Sequence, residues 1–351
     1  MAFFKNMPFR IGLDISGGDN APAEVYKGAV LAHKELEHEL TLVGVPSEIE
    51  DQAAKYPGSL KAFKVVEALE KIEMADSPVT AVRRKRNSSM VVGVNLVKAG
   101  KLDAFVSCGN TGALMCAATL ITGMIPGVER PGIAVPMPTK KGPCLMIDVG
   151  ANIDCSPQHL LQYAVMAAVY SRLVMGKSDP RVGILNIGEE ESKGTELYKT
   201  TYKLLAATRL NFVGNIDAKS IFSGDCDCIV CDGLVGNIAL KVAEGCADFI
   251  MKSFIGAGSK NVVGMLGLAL MKGNLLEFKK NLDYAEYGGA ILLGIDGIVI
   301  KGHGRSNALA VKNALKVAAQ ELSQHLTDEI KKSIDETYGD PAVRELLGDS
   351  R

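Results

Sequence analysis

Short apolar segments alternate with longer segments of helical periodicity along most of this 351-residue chain. The apolar segments are bounded by glycine, proline or acidic residues, as is typical of buried strands. The segments that predict strands are 10–15, 39–45, 63–66, 103–107, 133–137, 144–148, 181–187, 211–214, 228–232, 289–294 and 297–300. Those that predict helices are 23–36, 78–98, 113–124, 157–175, 194–208, 237–251 and 306–325. This alternation predicts an α/β fold of three layers, with a doubly wound, largely parallel sheet.

The domain organisation follows from the lack of any low-complexity linker or fixed-period repeat. Residues 8–326 are expected to form one composite α/β domain, or two joined lobes. Residues 327–351 are expected to be a polar C-terminal tail. The uncharged segment 104–128 is interrupted by glycine and proline, and its apolar part is shorter than the roughly 20 residues of a membrane span. It therefore predicts a buried helix.

Composition and charge narrow the function class. The chain is 47% hydrophobic, enough for a large core, and its net charge of −1 and lack of tryptophan argue against a nucleic-acid partner. The eight cysteines are scattered, so reduced thiols and a cytoplasmic location are expected. Met1–Arg10 lacks a sustained apolar stretch, and no secretory signal is expected there.

Five turns rich in glycine, asparagine and acidic residues follow predicted strands. They are Asp14–Asn20, Ser107–Gly112, Asp148–Asn152, Asn186–Gly194 and Asp232–Asn237. In an open parallel sheet such turns gather along one edge, where ligands bind. Glycine lets backbone N–H groups approach an anion, and a helix start adds partial positive charge. The repetition therefore predicts a phosphate-handling site at one edge of the sheet.

Several common cofactor and catalytic motifs are missing from the sequence. There is no Gly-x-Gly-x-x-Gly, no Gly-x-Ser-x-Gly and no His-Glu-x-x-His. The cysteines of Cys226-x-Cys228-x-x-Cys231 lack a nearby fourth zinc ligand. We therefore expect neither a metal nor a cofactor, and a nicotinamide-dependent hydroxyacid dehydrogenase is disfavoured.

An ordered set of short motifs, spread from Ile11 to His325, carries a family resemblance. The motifs are Asp14-x-x-Gly17-Gly18-Asp19-Asn20-Ala21-Pro22, Ser107-x-Gly109-Asn110-Thr111-Gly112-Ala113, Asp148-x-Gly150-Ala151-Asn152, Leu185–Glu190, Lys193-Gly194, Asp232-Gly233-x-x-Gly236-Asn237, Tyr287–Ala290 and His303-Gly304-x-Ser306. Together they resemble the PlsX family of bacterial phosphate acyltransferases. Ser16 departs from the family pattern, which usually has methionine there, and this bears on the packing of the first turn.

The resemblance implies a reaction and its partners. It implies transfer of a long-chain acyl group from acyl carrier protein to inorganic phosphate. The acyl phosphate would pass to a membrane enzyme that acylates glycerol 3-phosphate, in phosphatidic acid synthesis. It also implies a homodimer with a fold similar to isopropylmalate dehydrogenases and phosphotransacetylases. Two alternatives remain: a short-chain acyl-CoA phosphotransferase, and a non-catalytic scaffold for the carrier protein or the membrane.

Three residues are candidates for catalysis. Lys193 follows three acids and is expected to supply a cation, although such a lysine is often merely solvated. Asn237 is expected to donate to phosphate or to the carbonyl oxygen, and His303 to donate to phosphate or protonate the departing sulfur. Turn formation and loop hydrogen bonding are the alternatives for these two. The residues expected to bind phosphate or substrate are Gly17, Gly18, Asp19, Asn20, Ser107, Gly109, Asn110, Thr111, Gly112, Asn152, Gly236 and Ser306.

Three acids and two basic segments complete the candidate set. Asp14, Asp148 and Asp232 would repel phosphate, so they are expected to orient loop N–H groups or neighbouring cations. The run Arg83-Arg84-Lys85-Arg86 is expected to dock the acidic carrier protein, with phosphate contact or a solvated face as alternatives. Residues 250–283 alternate apolar and basic positions. They are expected to form helices that contact the membrane peripherally, a partner or the acyl chain, with a dimer-facing or core helix pair as the alternative.

Overall fold

A computed structural model describes residues 8–275 and 288–348 of the chain. The strands are β1 (Arg10–Asp14), β2 (Glu39–Gly44), β3 (Lys64–Glu67), β4 (Ala104–Ser107), β5 (Gly132–Met137), β6 (Cys144–Ile147), β7 (Arg181–Asn186), β8 (Asn211–Asp217), β9 (Cys228–Val230), β10 (Ala290–Leu293) and β11 (Ile298–Lys301). The α-helices are α1 (Ala23–His33), α2 (Pro46–Ala53), α3 (Pro78–Arg84), α4 (Ser89–Lys98), α5 (Thr111–Ala117), α6 (Pro157–Leu173), α7 (Glu196–Ala206), α8 (Gly233–Gly258), α9 (Val262–Leu270), α10 (Ala308–Ser323), α11 (Leu326–Gly339) and α12 (Pro341–Leu346). A π-helical turn, Ala118–Thr122, continues α5.

The strands form one 11-stranded sheet in the order β3-β2-β1-β4-β11-β10-β5-β6-β9-β7-β8. Neighbouring strands are parallel within the group β3-β2-β1-β4-β11 and within the group β6-β9-β7-β8. The pairs β11–β10, β10–β5 and β5–β6 at the centre are antiparallel. The two parallel halves therefore run in opposite directions.

This reversal corrects the expectation that all five turns share one edge of the sheet. Asp14–Asn20 and Ser107–Gly112 follow β1 and β4 at one edge. Asp148–Asn152, Asn186–Gly194 and Asp232–Asn237 follow β6, β7 and β9, whose carboxyl ends point to the opposite edge. The α/β class and the largely parallel sheet are confirmed, but the single edge is wrong because short apolar strands carry no signal of direction.

Helices cover both faces of the sheet and divide the core into two. On one face α1, α6, α10 and α11 contribute to one buried cluster, in which α10 packs over β4 and β11, and α6 packs over β6 and β9. On the other face α4 and α5 pack over Phe105, and Leu240 of α8 joins the same cluster beyond β5 and β10. This second helical layer contains the opening in which the candidate site lies.

Two predicted segments differ from the structure. The predicted helix 78–98 breaks after α3, and Ser88 caps α4 by accepting a hydrogen bond from the Val91 amide at 3.4 Å. Residues beyond 326, expected as a polar tail, include α11 and α12. Their apolar residues repeat at helical spacing among many charges, so the average polarity concealed one buried face.

The segment 250–283 is helical as far as it is described, through the end of α8 and through α9; residues 276–283 lie outside the described residues. Helices α8 and α9 contact each other. Their apolar side chains are largely exposed, with Val263 exposed by 80%. Within the described parts of the chain, no helix combines the length and apolarity that crossing a membrane requires.

The burial of α11 gives a stability prediction. Ile334 is 1% exposed within the first core cluster. Replacing Ile334 by alanine should lower the free energy of unfolding by about 2–5 kcal/mol, because it removes buried methyl groups and leaves a cavity. Urea unfolding measures the change. The control is Glu336→Ala on the exposed face of α11, which should stay within about 0.5 kcal/mol. Equal effects of the two substitutions would contradict the packing.

Candidate functional site

A cleft of ≈ 1110 Å³ crosses the centre of the sheet on the face covered by α5 and α8. Ile133 and Val135 of β5 and Ala290 of β10 form part of its floor. One side carries Asp19, Thr111, Gly112 and the segment 301–305; the other carries 149–152, Asn237 and Leu240. The cleft thus brings together turns from opposite edges of the sheet.

The first two turns are held together by a buried carboxylate. Asp14 accepts hydrogen bonds from the Ser107 hydroxyl at 2.6 Å and the Ser16 amide at 3.2 Å. Ser107 in turn accepts from the Gly109 amide at 3.1 Å. Burial raises the pKa of Asp14, and these hydrogen bonds oppose the rise. Asp14 and Ser107 shape the turns, and neither lines the cleft.

Glycines allow these two turns to touch. A Cβ on Gly17 would lie 3.0 Å from the Gly109 amide nitrogen, and Gly18 has a φ of +111°. Gly17, Gly18 and Gly109 are packed behind the cleft rather than along it. At Ser16, where the sequence departs from the family pattern, the hydroxyl donates to Glu48 of α2 at 3.0 Å.

The turn after β11 joins the first turn at the cleft. The Asp19 amide donates to the Gly304 carbonyl at 2.7 Å. The Asn20 side chain donates to the carbonyls of Arg305 at 3.1 Å and Ser306 at 3.3 Å, so this amide holds the turn and does not line the cleft. Ser306 is buried and also lies outside the lining.

His303 lies in the cleft with a defined hydrogen bond at one ring nitrogen. Its Nδ1 accepts from the Arg305 amide at 3.1 Å. In the neutral ring this acceptor role leaves the proton on Nε2. His303 therefore has the geometry of a hydrogen-bond donor within the cleft.

At the opposite edge, Asp148 organises the turn after β6. Its carboxylate accepts from the amides of Ile133 at 3.0 Å, Gly150 at 3.1 Å, Ala151 at 2.9 Å and Asn152 at 2.7 Å. Burial raises the pKa of Asp148, against the effect of these donors. This is the geometry of a carboxylate that orients loop amides.

Asn152 and Asn110 line or adjoin the cleft, but their amide groups are engaged with the protein. Asn152 donates to the Pro131 carbonyl at 2.6 Å and the Tyr163 hydroxyl at 2.8 Å. Asn110 caps α5 by accepting from the Ala113 amide at 3.0 Å, and its nitrogen donates to carbonyls in the segment 73–76. Both arrangements favour a structural role over ligand binding.

Asn237 differs from these two residues. Asp232 caps α8 by accepting from the amides of Leu234 at 2.9 Å and Val235 at 3.0 Å, so the helix begins earlier than predicted and Asn237 lies within it. Gly236 is buried against the backbone of Asp148. The Asn237 side chain is exposed to the cleft, and the described structure contains no hydrogen bond to it. Its amide is therefore available to a ligand.

Lys193 is exposed and does not line the cleft. It lies after β7, on the edge of the sheet that also carries Asn152 and Asn237. Its backbone is fixed by hydrogen bonds from its amide to the Glu190 carbonyl and from the Asn186 side chain to its own carbonyl, each at 3.1 Å. The structure thus places Lys193 on the same edge of the sheet as Asn152 and Asn237, with its side chain exposed and outside the lining of the cleft.

The basic run straddles the break between α3 and α4. Arg83 lines the cleft, while Arg84 and Arg86 are exposed outside it. Lys85 forms an ion pair with Asp76 at 2.5 Å and is therefore tied to its own surface. Only part of this run is placed to meet a ligand in the cleft.

The sequence interpretation missed two groups of cleft residues. One is an apolar wall made of Met74, Val79, Met115, Leu120 and Met124. The other comprises Lys301 and Arg130, which are cations at the floor and the rim. Lys301 could have been found from the sequence, because it is a charged residue at the end of the apolar strand Ile298–Lys301. The residues of the apolar wall could not, because nothing in the sequence distinguishes them from residues of the hydrophobic core.

The cysteines show no metal-binding arrangement in the described structure. Cys228 and Cys231 are wholly buried, and burial raises the pKa of both thiols. Cys108, next to the first turns, is also buried with a raised pKa. The described residues include no cluster of three or more histidine, cysteine or acidic side chains suited to a metal ion.

Comparison with known proteins gives the family. A family model described as "Fatty acid synthesis protein" matches residues 9–328. A phosphate acyltransferase from Heliobacterium modesticaldum is 46% identical over 327 residues, covering 93% of this chain and 97% of that protein. One from Halothermothrix orenii is 43% identical over 328 residues, covering 93% and 98%.

Solved structures support the fold. A phosphotransacetylase from Streptococcus pyogenes aligns with a TM-score of 0.62 at 19% identity, covering 90% of this chain and 94% of that one. A branched-chain phosphotransacylase from Enterococcus faecalis gives 0.55 at 13% identity, covering 90% and 100%. These likenesses show a shared α/β architecture. On the family match and the curated relatives, the chain is a transferase that belongs to the PlsX family of phosphate acyltransferases.

Proposed function

We propose that this chain transfers a long-chain acyl group from acyl carrier protein to inorganic phosphate, by direct attack of phosphate on the thioester. The observation that carries the proposal is the composition of the cleft. Lys301, His303 and Arg305 supply positive or hydrogen-bonding groups at one part, and Met115, Leu120 and Met124 supply an apolar wall beside them. A small anion and a greasy chain are the two ligands that such a cleft suits.

The proposed reaction needs no covalent enzyme intermediate. A phosphate oxygen attacks the thioester carbonyl carbon, the carbonyl oxygen becomes an oxyanion, and the C–S bond then breaks. The electron pair leaves on sulfur, which is a fair leaving group because a thiol pKa is near about 8.5. Holding phosphate and thioester in register can lower the barrier by roughly 7–11 kcal/mol. The raised pKa of Cys108 supports this route, since the buried thiol is held away from its nucleophilic form.

The available groups suggest distinct roles. Asn237, with its amide free of protein hydrogen bonds in the described structure, is the proposed donor to the oxyanion. His303 is the proposed donor to phosphate or to the departing sulfur. Lys193, exposed beside the same edge as Asn237, is proposed to supply a second cation when substrate is bound.

The donor and later partners follow from the surroundings of the cleft. Arg83 lines the cleft, and Arg84 and Arg86 are exposed next to it in sequence, so these guanidinium groups suit an acidic carrier protein. A short acyl chain would not require the apolar wall, so the wall favours a long-chain donor over short-chain acyl-CoA. A non-catalytic scaffold would not require the cationic floor. The acyl phosphate is proposed to pass to a membrane enzyme that acylates glycerol 3-phosphate.

The exposed apolar surface of α8 and α9 is proposed to contact the membrane peripherally from a cytoplasmic location. Val262, Val263, Leu266 and Leu270 of α9 are exposed, with no polar residue between Val262 and Leu270. Such a surface would insert into the headgroup region. The same helices are the alternative location for contact in the proposed homodimer.

The overall reaction is tested by trapping its product. Purified protein, long-chain acyl carrier protein and phosphate should give acyl phosphate, which hydroxylamine converts to a hydroxamate for quantification. The rate should rise with phosphate concentration and saturate, because phosphate is a substrate held in a site. Acyl-CoA of short chain length is the matched donor control. Turnover that ignores phosphate, or binding without turnover, would reject the mechanism.

Substitution of two asparagines separates chemistry from structure. Asn237→Ala should lower kcat about 10²–10³-fold, because one oxyanion donor is lost, and should leave thermal stability nearly unchanged. Asn110→Ala should lower stability by about 0.5–2 kcal/mol through loss of the helix cap. Steady-state rates and urea unfolding of both variants measure this contrast. If Asn237→Ala turns over at the wild-type rate, Asn237 has no role in the mechanism. If Lys193→Ala does so, only the role of Lys193 is rejected.

The role of α9 is tested on vesicles. The double substitution Val263→Asp and Leu266→Asp should abolish cosedimentation with anionic phospholipid vesicles, because charges replace the inserting side chains. Leu69→Asp, at an exposed apolar residue elsewhere, is the control and should bind as wild type does. Sedimentation velocity is measured in parallel. A double variant that binds vesicles normally but becomes monomeric would assign α9 to the dimer instead.

A further inference from the structure

Lys301 occupies the centre of the sheet at the floor of the cleft. It ends β11, where its neighbours across the sheet are Ser107 of β4 and Ala290 of β10. The preceding residues of the strand, Ile298 to Ile300, are apolar and buried. Lys301 itself is only 6% exposed, yet it lines the cleft together with the turn that follows it.

Among the described residues, the ammonium group of Lys301 has no close counter-ion. In the described part of the chain no carboxylate lies within ion-pairing distance of its amine, which donates to the Gly302 carbonyl. The surrounding titratable groups are Cys108, Asp14, Asp19, His303 and Arg305. Asp14 already accepts two hydrogen bonds, and Asp19 is exposed and lies 4.0 Å from Arg305.

Burial of this amine is energetically unfavourable without an anion. Desolvation is the strongest influence on Lys301 and lowers its pKa, while Cys108, Asp19 and Asp14 oppose that shift. A buried, unpaired ammonium is costly, and proteins usually pair such a group or use it to bind a ligand. A phosphate dianion in the cleft would provide the missing charge and accept the ammonium hydrogen bonds.

We propose that Lys301 is a phosphate-binding residue of the cleft and holds inorganic phosphate for attack on the thioester. This inference rests on the proposed function for its substrate. The phosphodiester of a carrier's prosthetic arm is the other possible source of phosphate. It suits the exposed rim cations Arg83 and Arg130 better, because a long arm enters from solvent whereas Lys301 lies at the floor.

The turns around Lys301 are built for close approach. The Gly302 amide donates to the Ser107 carbonyl at 2.9 Å. A Cβ on Gly302 would lie 2.5 Å from the Cys108 sulfur, so a larger residue would push the turn away from the first two turns. The site of the amine is thus fixed by the sheet and by two adjoining turns rather than by a flexible loop.

The test is direct binding of inorganic phosphate to the full-length protein without an acyl donor, by isothermal titration calorimetry. Lys301→Met keeps an unbranched side chain of similar length and removes its charge. It should weaken phosphate binding about 10- to 100-fold, as expected for one charged hydrogen bond. Lys301→Arg should retain binding within about tenfold, since it keeps the charge. Lys141→Met, at an exposed lysine paired with Asp225 outside the cleft, is the control and should match wild type.

Thermal unfolding separates binding from a structural role. Without phosphate, Lys301→Met should be at least as stable as wild type, because an unpaired buried charge is gone. Addition of phosphate should raise the melting temperature of wild type and should change that of Lys301→Met little. Failure of both Lys301→Met and Lys301→Gln to fold would make the amine structural and overturn the proposal.

Steady-state kinetics distinguish the source of phosphate. Lys301→Met should raise KM for inorganic phosphate about 10- to 100-fold, by the same charged hydrogen bond, and leave KM for the acyl carrier protein unchanged. The reverse pattern would assign the amine to the donor and overturn the proposal. If wild type binds phosphate through Lys301 but transfers no acyl group, the proposed function fails while the assignment of Lys301 as a phosphate-binding residue stands. Unaltered phosphate binding by Lys301→Met overturns the inference alone.

Discussion

The reversal of strand direction at the centre of the sheet is the constraint from which the site follows. Because β11–β10, β10–β5 and β5–β6 pair antiparallel, the carboxyl ends of the two parallel halves lie at opposite edges. A ligand that touches turns from both halves must therefore lie across the face of β10 and β5. The cleft occupies this position, between α5 and α8, and its floor is formed by the strands that make the reversal.

The buried acids and the cations divide the work around this cleft. The carboxylates of Asp14 and Asp148 accept hydrogen bonds from a serine hydroxyl and from backbone N–H groups, and these bonds stabilise the turns. Burial raises the pKa of each, and the hydrogen bonds that each carboxylate accepts oppose the rise. Lys301 and His303 are among the polar side chains that line the cleft. An anion entering the cleft meets these donors, while the carboxylates of Asp14 and Asp148 are turned toward hydroxyl and backbone N–H groups. Asp19, Glu129 and Glu244 also line the cleft and would oppose binding of an anion near them.

The sequence predicted the elements better than their arrangement. Buried strands such as Cys144–Ile147 stand out because apolar runs between turn residues have few other interpretations. Their direction is set by pairing with distant strands, which no local pattern records. Asn110 and Asn152 were expected to bind ligand because asparagine in a glycine-rich turn suits either role. Only the carbonyls that surround each amide show that both are engaged. The predicted strand 297–300 stopped one residue before Lys301, and strand ends are the boundaries that sequence patterns fix least well.

The depth of the cleft bears on why a direct attack is chemically feasible. Phosphate in water is strongly hydrated, and a thioester competes with water for any nucleophile. A floor that lies in the sheet lets fixed donors replace that hydration, and such donors need no reorganisation during the reaction. In the proposed reaction, the apolar wall next to the floor would shield the thioester carbonyl from water on the other side. A site made from one sheet edge would leave this second side open. Joining turns from opposite edges across a packed floor gives a cleft in which both proposed reactants could be bound from two sides, and the topological reversal provides that geometry.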